Sequence, residues 1–336
     1  MIRVAVVGYG FIGSVHVATL KKIPDARVVA VVDSNPEKFK SATKGNLDVG
    51  AQGDELQGIE LYTSLDEMLA KTDVDCVSIC LPTNLHRLVT EQVMQAGKHV
   101  ICEKPMALTL EDCDAMIEAS QKYDRQLFIA QCIRFWPEYE ALKKMVDSGE
   151  FGAPISFLFR RVGPSPFWAG AQSWFSDPNK SGGCVFDLHV HDTDYIQYLF
   201  GRPQAVYSQG FTGQSGGNEA VMTQYQYLSG PMCFAEGSWA YSSGFRMTFT
   251  AIFENAQVEY DSAQSPSMIL YRKGADGSEV VEVDDRDGYY HEMAYFIQCL
   301  RSGKKPEKVL PQSARQSIEI ALAEAASINS KQLEEL

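Results

Sequence analysis

The chain is short of positive charge, with 30 Lys and Arg against 43 Asp and Glu and a formal net charge of −13. That balance argues against a nucleic-acid partner, because binding a phosphate backbone needs a basic surface that displaces counterions. No apolar run approaches the length of a membrane span. The apolar run Ile2–Val7 follows Met1 directly, which leaves no room for a charged and apolar leader; a cytoplasmic protein is expected. The eight cysteines, at 76, 80, 102, 113, 132, 184, 233 and 299, are scattered through apolar patterns and read as reduced, buried thiols. Cys76 and Cys80 have no histidine at zinc-ligand spacing, so no metal site is expected. Internal repeats and low-complexity linkers are also lacking; Gln214 to Asn218 reads as a hairpin tip.

What remains is a globular chain of 336 residues, 45% of them hydrophobic, too long for one ordinary core. Up to about residue 131, continuous apolar strands alternate with amphipathic helices. The strands are Ile2–Val7, Val28–Val32, Ile59–Tyr62, Cys76–Leu81, His99–Cys102 and Leu127–Ala130. Ser64-Leu65-Asp66-Glu67 has the form of a capping box, Thr109 opens another helix, and Gly97 closes the helix from Leu85 to Ala96. Asn35-Pro36-Glu37 reads as a helix cap with proline in the first turn. This grammar predicts a doubly wound parallel sheet. From residue 132 onward, strands follow one another without crossover helices, from Ala205–Phe211 to Val280–Val283, and two helices close the chain. An α+β second domain with a large, mostly antiparallel sheet is expected over 132–336.

The first turn, Gly8-Tyr9-Gly10-Phe11-Ile12-Gly13, follows a strand, opens a helix and has Asp33 about twenty residues on. Alone the pattern is weak, and a ligand-free glycine turn is the bland alternative. In this context Gly8 permits the tight turn, Gly10 the approach of a pyrophosphate, and Gly13 close helix–strand packing. Asp33, with Ser34 beside it, would bind the adenosine ribose hydroxyls and repel a 2′-phosphate, so NAD is expected over NADP. Ligands of such sheets lie beyond the carboxyl ends of the strands. There Leu81, Pro82, Thr83, Asn84 and His86 leave one strand, and Glu103 and Lys104 leave the next. For Asn84 and His86 a helix cap and a surface histidine are the alternative reading.

Further on, Asp187, His191 and Asp194 stand four and three residues apart, a spacing that lines one helix face. Oxidising a secondary alcohol needs a base of near-neutral pKa, which suits His191, and a hydrogen-bond donor for the oxygen, which suits Lys104. A core histidine is the alternative for His191, and a structural role for Asp194. Asp187 has three open roles: orienting His191, holding Lys104, or binding a substrate hydroxyl. Glu103 fixes the lysine, contacts the nicotinamide ribose, or is merely solvated.

The ordered set of the glycine turn, Pro82-Thr83-Asn84-Leu85-His86, Glu103-Lys104-Pro105 and Gly182-Gly183 running into Asp187, His191 and Asp194 resembles the Gfo/Idh/MocA family of sugar and inositol dehydrogenases. The resemblance implies Lys104, Asp187 and His191 as the catalytic trio. It also implies dimers or tetramers formed through the outer face of the second-domain sheet. Cys184 and His189 depart from the family, which has small residues there. Arg134 resembles a position lining the cofactor cleft, with an interdomain salt bridge as the alternative. Arg160, Arg161, Phe167, Trp168, Trp174 and Phe175 are expected in a loop before the catalytic helix, where aromatic faces and arginine forks suit a sugar ring; Arg160 and Trp174 are the chosen substrate contacts. The same aromatics would equally serve an interface. No basic cluster points to a phosphorylated substrate, so a neutral sugar or cyclitol is favoured. Two other functions stay open: a glycosidase that oxidises its substrate transiently with NAD, and a non-catalytic NAD sensor, for which an intact proton-transfer group would be superfluous.

Overall fold

The computed structural model describes residues 1–40, 56–166, 174–213 and 216–336. These form two compact units. The first comprises Met1–Phe135 with Arg286–Arg315, and the second Trp136–Asp285 with Gln316–Leu336.

The first unit is built on six parallel strands: β1 (Ile2–Val7), β2 (Ala26–Val32), β3 (Glu60–Tyr62), β4 (Cys76–Ile79), β5 (His99–Glu103) and β6 (Leu127–Ala130), in the order β3-β2-β1-β4-β5-β6. Residues 4–7, 76–79 and 127–130 are buried throughout, as strands covered on both faces must be. The helices between them are α1 (Phe11–Lys21), α2 (Leu65–Lys71), α3 (His86–Gln95) and α4 (Leu110–Lys122). Two begin as the capping patterns predict: Ser64 Oγ accepts the Glu67 N–H, and Thr109 Oγ1 accepts the Asp112 N–H at 3.2 Å. Among the described residues the Asn35-Pro36-Glu37 cap opens a 3₁₀ turn, Pro36–Lys40.

One helix departs from the expected division. Helix α8 (Gly288–Ser302) packs on α1 and on the 132–135 turn of the first unit, whereas the sequence predicts a single second domain from 132 to the end. Its apolar side, Tyr289, Met293, Phe296 and Ile297, explains this, with Phe296 stacked at 4.7 Å on Phe128 of β6. A pattern that is amphipathic says that a helix packs, not on what.

The second unit carries α5 (Pro137–Ser148), α6 (Pro178–Ser181), α7 (Val190–Phe200) and, from Gln316 onward, α9 (Pro311–Ser330). Its nine described strands run in the order β14-β13-β12-β11-β7-β10-β9-β8-β15. They are β7 (Pro154–Val162), β8 (Ala205–Thr212), β9 (Asn218–Gln226), β10 (Met232–Ser238), β11 (Arg246–Phe253), β12 (Ala256–Asp261), β13 (Met268–Arg272), β14 (Glu279–Val280) and β15 (Glu334–Glu335). Only β7 and β10 pair in parallel. β8 and β9 make the expected hairpin; Gln214 and Ser215 of its tip lie outside the described residues. β15, two residues long, has no pattern that sequence reading could detect.

Candidate active site

In the first unit the glycine turn has the sterics that a dinucleotide needs. A Cβ on Gly8, whose φ is +92°, would lie 2.3 Å from the Cys80 carbonyl oxygen, and one on Gly13 would lie 1.9 Å from the Gly8 oxygen. Neither position tolerates a side chain. Gly10 differs: no atom lies within 4 Å of its would-be Cβ, and as N-cap of α1 it offers no side-chain cap to the helix N–H groups. Open space in front of uncapped helix amides is what a pyrophosphate requires. Phe11 and Ile12, the first residues of α1, are half-buried beside it. Asp33, at the end of β2, is buried and anchored: Oδ2 accepts the Tyr9 N–H at 2.8 Å and Oδ1 the Asn35 N–H at 2.9 Å. Ser34 next to it is exposed. The residues present therefore fit a dinucleotide.

Lys38 Nζ lies 3.3 Å from Asp33 Oδ2, a cation that a 2′-phosphate would welcome. Asp33 outweighs it, because the carboxylate is fixed by two backbone amides while the lysine side chain is 43% exposed. Saturating NAD(H) is accordingly expected to raise the melting temperature, by the equivalent of about 2.7 kcal/mol at a hundred times Kd. NADP(H) should raise it far less, and equal shifts in a thermal melt would overturn the role assigned to Asp33.

At the carboxyl end of β4, Leu81 and Pro82 are half-buried, Thr83 buried, and Asn84 exposed. The ring of His86 is engaged by backbone carbonyls. It is fully buried, with Nδ1 3.0 Å from the Pro105 carbonyl oxygen and Nε2 2.9 Å from that of Leu81. Burial pushes its pKa below the ordinary value against the pull of these carbonyls, so a neutral ring donates to one of them. Arg134 is buried and donates to the Lys308 carbonyl at 2.9 Å and to Ser313 Oγ at 2.7 Å, contacts inside the first unit. Sequence reading could not anticipate either partner, since they lie 19 and more than 170 residues away.

Glu103, at the end of β5, turns inward. Its Oε2 accepts the Lys104 backbone N–H at 3.0 Å, and its Oε1 lies 2.9 Å from His16 Nε2. The Lys104 side chain is half-exposed. The Lys104–Pro105 bond is cis. Sequence reasoning misses His16, although a histidine among Val15, Val17 and Leu20 on the buried face of α1 is a visible irregularity.

In the second unit the expected continuous helix is interrupted. Val185–His189 form a π-helical turn, in which the Val190 N–H donates to the Val185 carbonyl, and α7 follows from Val190. Such turns are uncommon and gather at functional sites. Gly182 and Gly183, at φ +74° and +68°, precede it; a Cβ on Gly182 would strike the Phe186 ring at 2.6 Å. Between Gly183 and Gln197 only Asp187 and His191 are half-exposed, so they share the open face. Asp194 does not join them. It is buried, and its Oδ1 accepts the Ser317 hydroxyl of α9 at 2.7 Å, a structural tie.

Beneath that face the turn is held by polar groups. His189 Nε2 lies 3.1 Å from Thr223 Oγ1 and 3.2 Å from the Tyr225 hydroxyl, which donates to Glu324 Oε1 at 2.7 Å. Gly237 makes the room: a Cβ there would sit 2.8 Å from that of His189. Asp192, next to His191, is tied to β7 by Arg161 through a two-pronged buried pair at 3.1 and 2.9 Å. Arg161→Met would leave the Asp192 carboxylate buried and uncompensated, and is expected to cost about 3–5 kcal/mol of stability; a urea midpoint unchanged from that of the parent chain would contradict this.

The substrate arginine is displaced. Arg160 and Arg161 are in β7 rather than in the following loop, and successive strand residues point to opposite faces. With Arg161 turned to α7, Arg160 faces the other way, paired with Glu236 at 2.7 Å and with Tyr241. Arg160 therefore does not share the Asp187 and His191 face. Trp174 is described, stacked on Phe175 with ring centroids 4.0 Å apart; Phe167 and Trp168 lie outside the described residues. Among the described residues no cluster of three or more His, Cys, Asp or Glu is placed to hold a metal ion, and no helix is long and apolar enough to cross a membrane.

A six-stranded parallel sheet in this order with a glycine-lined helix entrance defines a dinucleotide-binding fold. Residues 2–131 match the description "Oxidoreductase family, NAD-binding Rossmann fold" and residues 139–259 "GFO/IDH/MocA C-terminal domain". The chain belongs to the GFO/IDH/MocA family, and its cofactor is NAD. It is 27% identical to the myo-inositol 2-dehydrogenase of Thermotoga maritima over 318 residues, 90% of either chain, and 27% identical to the inositol 2-dehydrogenase of Rhizobium meliloti over 97% of this chain and 96% of that one. The fold is shared with the aldose-aldose oxidoreductase of Caulobacter crescentus, at a TM-score of 0.85 and 23% identity over 100% and 99% of the two chains. It is shared also with a levoglucosan dehydrogenase solved with NADH and levoglucosan, at 0.85 and 19% over 99% of each.

Proposed function

We propose that the protein is an NAD-dependent dehydrogenase that oxidises a secondary alcohol of a neutral sugar or cyclitol of the inositol kind. The observation carrying this reading is that the half-exposed residues between Gly183 and Gln197 of the second unit are an acid and a base, Asp187 and His191, while the first unit carries a half-exposed Lys104 just past a strand end of its parallel sheet. NAD, held at the glycine turn and Asp33, would supply the acceptor for the hydride of the carbinol carbon. His191 takes the hydroxyl proton as general base, and Lys104 donates a hydrogen bond to the oxygen as negative charge grows there. The products are a ketone, NADH and a proton. Asp187, half-exposed four residues before His191, orients the imidazole or holds a substrate hydroxyl, and Trp174 offers an aromatic face to the C–H side of a ring.

The test is NAD reduction measured across the inositols and common aldoses at mildly alkaline pH. NADH accumulating with one polyol class supports the reading. Bond cleavage without net NADH would instead assign the transient-oxidation glycosidase, and binding without turnover the sensor.

All eight cysteines are unpaired and buried, which suits a reducing cytoplasm. On the sheet face bearing Arg160, Leu158 and Phe234 stand opposite one another, with Met222 and Met232 exposed nearby, an apolar patch suited to a second copy of the chain. A homodimer or homotetramer is expected in light scattering.

A further inference from the structure

We propose that His16 and His86 are positioning residues for Lys104, bracing the Glu103-Lys104-Pro105 turn from its two ends. The inference rests on the proposed hydrogen bond from Lys104 to the substrate oxygen.

The geometry is a chain of short contacts. His16 projects from the second turn of α1, the helix that opens at the glycine turn. Its Nδ1 lies 2.7 Å from Ser78 Oγ and 3.3 Å from Cys80 Sγ at the end of β4, and its Nε2 lies 2.9 Å from Glu103 Oε1. The other oxygen of that carboxylate accepts the Lys104 amide. Phosphate helix, β4 and lysine turn are thus joined through one imidazole with no solvent exposure. At the far end, His86 lies between the carbonyls of Pro105 and Leu81. A residue held by its own amide on one side and by its neighbour's carbonyl on the other has little freedom to shift its Cα.

Charges around the brace agree. Burial resists charge on His16, but the Cys80 sulfur and the Glu103 carboxylate outweigh it and hold the imidazole well above its ordinary pKa. A second carboxyl, Glu292 on α8, is fully buried, and neither of its oxygens has a hydrogen-bond partner among the described residues. Burial and then the charge of Glu103 push its pKa well above the usual range, while His16 and Lys308 oppose. Burial thus favours the neutral form of Glu292. Tyr289, also coupled to Glu103 and Glu292, is kept protonated by burial.

The experiment compares His16→Leu, His16→Gln and His86→Leu with the parent chain. It uses two readouts: hydrogen–deuterium exchange of the Lys104 amide without cofactor, and kcat with its KM and the NAD-induced thermal shift. Each leucine variant is expected to speed Lys104 exchange and lower kcat by about tenfold or more, with NAD affinity within about threefold of the parent. His16→Gln, whose amide still donates to Glu103, should recover most of both. Unchanged Lys104 exchange, or a kcat loss matched by an equal loss of NAD affinity, overturns the proposal. Should the leucine variants fail to fold, Ser78→Ala, which removes one partner of the His16 ring, carries the same expectations at smaller size. Lys104→Met separates the two claims. If it is inactive while the histidine variants behave as the parent, only the brace fails; if it turns over normally, the assignment of Lys104 fails first.

Discussion

His191→Ala is expected to lower kcat by about 10²–10⁴-fold, the usual contribution of a positioned proton acceptor. NAD binding should be retained, because the cofactor residues belong to the other unit. Alanine also leaves the supports of the turn in place: His189 on Thr223 and Tyr225, Asp192 on Arg161, and Asp194 on Ser317 involve neighbours of His191, not its ring. The melting temperature should therefore move little while turnover collapses, and a variant keeping most of its kcat would remove His191 from the chemistry. Asp194→Asn is the informative companion. It disturbs a buried tie, so it should act through stability.

Lys104→Met is the second large effect, expected at about 10²–10³-fold in kcat. Methionine keeps the length and apolar stem of lysine and loses only the ammonium, while the amide that Glu103 holds is unchanged. The loss should fall on kcat more than on the KM of the polyol, since the charge on the oxygen grows only as hydride leaves. A loss confined to KM would reassign Lys104 to substrate holding.

Much of the first unit is legible in the sequence. Most of its strands carry runs of consecutive apolar residues, which a doubly covered parallel sheet accommodates. The steric demands at Gly8 and Gly13 and the caps at Ser64 and Thr109 are local, so sequence carries them directly. The site is legible to the extent that it is local too: Asp187 and His191 share a face because they are four apart. Asp194 is instead buried against the hydroxyl of Ser317, a partner 123 residues away that spacing does not disclose. The same limit explains the arginines. Arg134, Arg160 and Arg161 each read as a ready fork, and each is engaged by a partner far along the chain. Buried polar residues on apolar helix faces, His16, Glu292 and Glu324, are the signal that periodicity alone leaves unread.

The most direct test of the account is a crystal structure of the protein with NAD and the best polyol of the panel. The account predicts Lys104 Nζ and His191 both within hydrogen-bond distance of one carbinol oxygen, whose carbon faces the nicotinamide ring. A substrate hydroxyl touched by neither group, or the two groups on opposite sides of the coenzyme, would contradict it.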